Sequence, residues 1–167
     1  MKAGMLVAVL VGAIRTAVRF SPDPLAVLRE LNLRLLGRGD VQATCVSLRI
    51  AKDGEVTLAN AGHLPPYLNG EPITMEGALP LGIIEGAEFS VMHFQLEDGD
   101  KLVLMSDGIV EATDAKGQLF GFERIRDLLR TVTKASEVAS AAQSFGQEDD
   151  ISVISVTRTA VLDPSIA

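Results

Sequence analysis

The chain has 167 residues, 47% of them apolar and 22% charged, with a formal net charge of −7. This length suits one domain that buries roughly 70% of the surface its unfolded form exposes, and the composition is globular rather than disordered. An acidic balance without a basic stripe argues against nucleic acid as a partner, and one Cys and two His argue against a disulfide framework or a zinc site.

The amino end, AGMLVAVLVGAI, resembles a signal peptide, but Arg15 stops the run after about a dozen apolar positions, short of the roughly 20 a membrane span needs. No small-x-small cleavage site follows directly. The reading is a buried helix over 3–19, with no membrane partner; the competing expectation is a secreted protein cleaved near residue 20. Asp23 with Pro24 reads as N-cap and first position of a second helix, running on Leu25, Leu28, Leu31 and Leu35 to about Leu36.

From Ala43 the period changes to alternation. CVSLRIAK, the Asp53-Gly54 turn and VTLAN form a hairpin signature. Cys45 in this run reads as a buried thiol in a reducing compartment, hence a cytoplasmic location. NAGHLPP at 60–66 follows the strand directly. Gly62 there suggests a close backbone approach or a positive φ. Asn60 and His63 read either as hydrogen-bonded loop residues or as substrate-side groups.

A second hairpin is signalled at 66–75 with Asn69-Gly70 as its turn, and 77–87 is a loop around PLGI. A strand over about 89–94 contains His93, which reads as structural. The Asp98-Gly99-Asp100 turn then leads into KLVLM at 101–105. Helical spacing returns at 122–132 and, weakly, at 135–145, before a last strand at 151–157. Helices, then hairpins, then helices and a strand give an α+β plan with antiparallel sheets and helices on their faces.

Two acidic turns carry most of the chemistry. SDGIVEA at 106–112 leaves an apolar strand, and QEDDISV at 147–153 enters one. If those strands are antiparallel neighbours, Asp107, Asp149 and Asp150 stand at one edge of the sheet. Carboxylates gathered there suit a hard divalent cation. The bland alternatives are that Asp107 caps a short helix beginning near Ile109, and that Asp149-Asp150 is only an acidic turn. GxSxG and Walker sequences are absent, and no spacing supports a triad of Ser106, His63 and Asp107.

NAGHLPPYL, PLGI, the turn before KLVLMSDGIVEA, GFERI and EDDISVISV occur in that order. The set resembles the sporulation-stage-II-E and RsbU-like branch of the bacterial metal-dependent type 2C serine/threonine phosphatases. The resemblance implies two antiparallel sheets sandwiched between helix pairs, over a domain at 1–158 with a tail at 159–167. It implies a binuclear Mn2+ or Mg2+ centre. Asp107 matches a metal-binding Asp, Gly108 the glycine whose backbone lies near the metal, and Asp149 the last metal ligand. Asp150 takes the place of the neighbouring Asn or Asp.

The implied substrate is a phosphorylated protein, an anti-sigma-factor antagonist. Two further acidic motifs of the family would lie upstream of Met1, which sets the expectation of an incomplete domain lacking its first strands, with little or no activity. The alternative expectation is a non-catalytic dimerising or protein-interaction domain, with the apolar 3–14 helix as the contact to a partner or to a second copy in a homodimer.

Overall fold

A computed structural model describes residues 3–38, 41–132 and 134–159. The expected tail from residue 160 onward lies outside the described residues. The chain divides into two compact units, Met1–His63 with Met75–Gln95, and Leu64–Thr74 with Leu96–Ala167.

The first unit begins with helix α1 (Ala3–Phe20) and helix α2 (Pro24–Leu35). Asp23 caps α2 as its sequence suggests: its carboxylate accepts from the amides of Leu25 at 3.3 Å and Ala26 at 3.1 Å. Leu28, Leu31 and Leu35 are wholly or almost wholly buried, each contributing about 2 kcal/mol. The sheet of this unit is antiparallel, with β2 (Glu55–Ala61) in the middle, flanked by β1 (Cys45–Ile50) and β5 (Ser90–Gln95). β3 (Tyr67–Leu68) and β4 (Glu71–Pro72) belong to the second unit. Ala59 and Ala61 point from β2 into the same apolar cluster as α2. Asn32, buried on α2, donates to the Ile84 carbonyl at 2.9 Å and accepts from the Gly82 amide at 2.7 Å, which pins the PLGI loop.

The expectation of a buried α1 is corrected. Its apolar residues form two neighbouring stripes with the same spacing. Leu6, Leu10, Ala13 and Ala17 pack into the unit, whereas Val7, Val11, Ile14 and Val18 are exposed. A helix that is apolar on most faces predicts burial, but only one stripe is covered here. Cys45 is likewise half-buried rather than buried, and that partial burial pushes its thiol pKa up. No helix among the described residues is long and apolar enough to cross a membrane.

The second unit holds an antiparallel sheet in the order β4 (Glu71–Pro72), β3 (Tyr67–Leu68), β6 (Lys101–Met105), β7 (Val153–Thr157). The Asn69-Gly70 turn takes positive φ at both positions, 52° and 87°, as a tight hairpin requires. Its strands are shorter than the sequence suggests: past the Tyr67–Pro72 pair the Ile73 amide donates to the Pro66 carbonyl at 2.8 Å, but Pro66 has no N–H to return the bond. Helix α3 (Gly121–Leu129) and helix α4 (Ala135–Gly146) complete the unit. Ile125, Leu129, Val138 and Ala142 join Val103, Met105 and Ile109 in one core. The apolar signal of α4 is weak because small Ala and Ser residues fill most of it; Val138 and Ala142, four residues apart, form its buried face.

Candidate metal centre

β6 and β7 run antiparallel, with Met105 opposite Val153. The carboxyl end of one strand and the amino end of the other therefore share a rim. Pairing continues one step past the ladder, where the Ser106 amide donates to the Ser152 carbonyl at 2.9 Å. There the Ser106 hydroxyl takes over from the backbone. It donates to the Asp150 carbonyl at 3.2 Å and accepts from the Ser152 amide at 2.9 Å. Substitution of a side chain for a ladder group explains why β7 begins at Val153 and not at Ile151.

Beyond Ser106 the chain makes a 3-10 turn over Asp107–Ile109. Ser106, not Asp107, occupies the N-cap position, and Asp107 lies within the turn. Gly108 is buried against the second acidic segment: a Cβ placed on it would stand 2.6 Å from the Asp150 carbonyl oxygen and 3.5 Å from that of Asp149. The two acidic turns are therefore in backbone contact. Asp107, Asp149 and Asp150 are all exposed. The Asp149 carboxylate accepts from the Asp150 amide at 2.7 Å.

The second acidic loop is held at its other end too. Gly146 accepts from the Thr113 amide at 2.8 Å, and its backbone lies so close that a Cβ would fall 2.0 Å from the Thr113 carbonyl oxygen. Residues 147–150 thus hang between two backbone anchors. The donors are hard oxygens of the type Mg2+ and Mn2+ take. Their number is small: among the described residues no three Asp, Glu, His or Cys side chains gather closely enough to hold an ion. The donor chemistry matches a divalent cation, while the number of converging side chains falls short of a full shell.

Asn60 and His63 lie in the first unit. Asn60 is 6% exposed, and its side chain is used within its own turn. Nδ2 donates to the His63 carbonyl at 2.9 Å while Oδ1 accepts from the His63 amide at 2.8 Å. The His63 ring lies 3.2 Å, through Nδ1, from the Thr44 hydroxyl. Gly62 has a φ of 69°, and a Cβ there would meet the Pro80 nitrogen at 3.0 Å. This confirms both readings of that glycine, the close approach and the positive φ. His93 pairs with the Thr57 hydroxyl at 3.3 Å, in keeping with a structural residue. Sequence reasoning did not single out Ser106 or Gly146. Both act on partners far along the chain, which the residue order alone does not reveal.

Comparison with known proteins agrees with this architecture. The family model described as stage II sporulation protein E (SpoIIE) matches residues 1–159. Protein IcfG of a Synechocystis strain is 26% identical over 119 residues, covering 64% of this chain and 19% of its own length. The SiaA PP2C domain of Pseudomonas aeruginosa superposes with a TM-score of 0.77 at 20% identity, over 92% of this chain and 69% of that one. The RsbU and RsbW domains of Rv1364c from Mycobacterium tuberculosis give 0.75 at 21% identity, over 97% of this chain and 49% of theirs. The phosphatase domain of SpoIIE from Bacillus subtilis, presoaked with Mn, gives 0.58 at 22% identity, over 92% and 73%. The chain thus spans only part of these relatives, and the shared property is the fold. An α+β fold of the PP2C phosphatase type, matched by the family model over 159 residues, makes this chain a member of the SpoIIE family.

Proposed function

We propose that the rim formed by Asp107, Gly108 and Asp149 is part of the divalent-cation centre of a metal-dependent phosphoserine/phosphothreonine protein phosphatase. The single observation that carries this reading is the seating of Gly108 on the Asp149-Asp150 backbone, which brings two acidic turns to one edge of one sheet. Mn2+ or Mg2+ bound there would supply a water of lowered pKa and positive charge beside the phosphoryl oxygens. Asp107 and Asp149 would hold the ion, and Asp150 would flank it. The substrate proposed is a phosphorylated anti-sigma-factor antagonist, a reading supported by kinship with the RsbU and RsbW domains. Because no three Asp, Glu, His or Cys side chains among the described residues gather closely enough to hold an ion, we propose that this chain alone binds the ion weakly and turns over little or no substrate.

The test is Mn2+ binding, followed by water proton relaxation, beside p-nitrophenyl phosphate hydrolysis in Mn2+. Weak binding, reduced about tenfold or more in Asp107→Asn and Asp149→Asn, with negligible turnover, is the expected result. Binding unaltered by either substitution would overturn the cation reading. Steady turnover abolished by Asp107→Asn would uphold that reading and overturn the low activity. A second reading, a non-catalytic homodimer, draws on the exposed stripe of Val7, Val11, Ile14 and Val18, whose 4-3-4 spacing suits helix pairing. Light scattering that shows a dimer, lost in Val11→Asp, would support it.

A further inference from the structure

We infer that Ser106 is a positioning residue whose hydroxyl sets the spacing of the two acidic turns; as a statement about cation binding, this rests on the reading of the rim given above. Ladder bonds alone cannot hold Asp107 and Asp149 together, because regular pairing stops at Met105 and Val153. Past that point a single backbone bond, from the Ser106 amide to the Ser152 carbonyl, continues the pairing before one segment enters a 3-10 turn and the other leads back to α4. The Ser106 hydroxyl spans the gap with both of its capacities. It donates to the carbonyl of Asp150, the residue adjoining Asp149, and accepts from the amide of Ser152.

The same Asp150 carbonyl is the atom nearest the missing side chain of Gly108. One carbonyl is therefore fixed from two sides, by a hydrogen bond from Ser106 and by van der Waals contact with Gly108. A hydroxyl is needed, since the site calls for a donor and an acceptor on one atom. Ala offers neither. Thr retains both, and Ser106 is partly exposed.

The experiment compares wild type, Ser106→Ala, Ser106→Thr and a control, Val103→Ala, which weakens the same sheet away from the rim. Amide hydrogen exchange of residues 149–152 and Mn2+ binding are the readouts. In Ser106→Ala the Ser152 amide should exchange at least about tenfold faster, and Mn2+ affinity should fall about tenfold. Ser106→Thr should restore both. Val103→Ala should lower the melting temperature without a selective change at 149–152 and without loss of Mn2+ affinity.

Unchanged exchange at Ser152 in Ser106→Ala would overturn the inference. So would a uniform acceleration across the unit that Thr does not rescue, since that marks a general loss of stability. If wild type binds no Mn2+, the cation reading fails by itself, and the exchange comparison still decides whether Ser106 holds the rim.

Discussion

The turn at Asn60–His63 and the rim at Ser106–Gly108 both contain polar residues beside a glycine, and they use them in opposite ways. In the first, the polar side chain is the fastener: Asn60 donates and accepts within its own turn and is buried in doing so. In the second, neighbours do the fastening. Ser106, Gly108 and Gly146 lock the backbone, and the carboxylates of Asp107, Asp149 and Asp150 stand exposed. The Asn60 amide is consumed by local bonds, whereas the rim carboxylates stand exposed on a backbone locked by other residues, with Asp149 taking one local bond from the Asp150 amide.

The substitution that would disturb this contrast most is Gly108→Ala. Its Cβ would meet a backbone carbonyl that cannot rotate away, at a cost of about 3 kcal/mol. For a chain of this size that lowers the melting temperature by roughly 6–12 °C. Mn2+ affinity should fall with it, because the rim must open. A Gly108→Ala protein with wild-type melting and binding would mean that the contact between the two turns is not tight in solution.

Asn60→Ala should be next. Two part-buried hydrogen bonds to the His63 backbone are lost, for about 2 kcal/mol. Here the two sites should part company, with stability falling and Mn2+ affinity unchanged. Equal loss of affinity would erase the distinction. Gly62→Ala should act in the same direction for about 1–2 kcal/mol, through its positive φ and the contact with Pro80. Chemical denaturation of both variants measures these values.

The smallest effect concerns a third acidic turn, and it sharpens the comparison by showing a carboxylate of the structural kind. Asp100 accepts from the Asn69 side chain at 2.8 Å and the Glu97 amide at 2.7 Å, and Arg158 lies near it. The Asn69 hydrogen bond first, then the Glu97 amide and the Arg158 charge, hold its pKa below the ordinary 3.8. Its contribution to stability is therefore present above that value and lost as pH falls through the lower folded one. Asn69→Gly keeps the positive φ and removes the bond, so the loss of stability on acidification below about pH 4 should become shallower. Urea midpoints measured against pH check this, and an unchanged acid slope would count against the local account.

Much of this was legible in the residue order. Asp23-Pro24 marked the start of α2, Asn69-Gly70 marked a hairpin, and two apolar runs facing opposite ways marked the shared rim. Three features were not legible, each for a physical reason. The burial of α1 was overestimated because Leu6, Leu10, Ala13 and Ala17 carry the same pattern as Val7, Val11, Ile14 and Val18, and only tertiary packing distinguishes a covered stripe from an open one. α4 gave a faint signal because Ala and Ser dominate it. Ser106 looked like one more turn residue, since its partners Asp150 and Ser152 lie 44 and 46 positions away.

That separation bears on the order in which the molecule assembles. β6 is made before α3 and α4, but its neighbour β7 arrives only after both helices. Closing so long an excursion sacrifices chain entropy before any ladder bond is gained, so such pairings form slowly. In a refolding chain the helices and the Asn69-Gly70 hairpin should precede the union of 106 with 152. The acidic edge would then be among the last parts to mature, and time-resolved exchange of the Ser152 amide would serve as a clock for its completion.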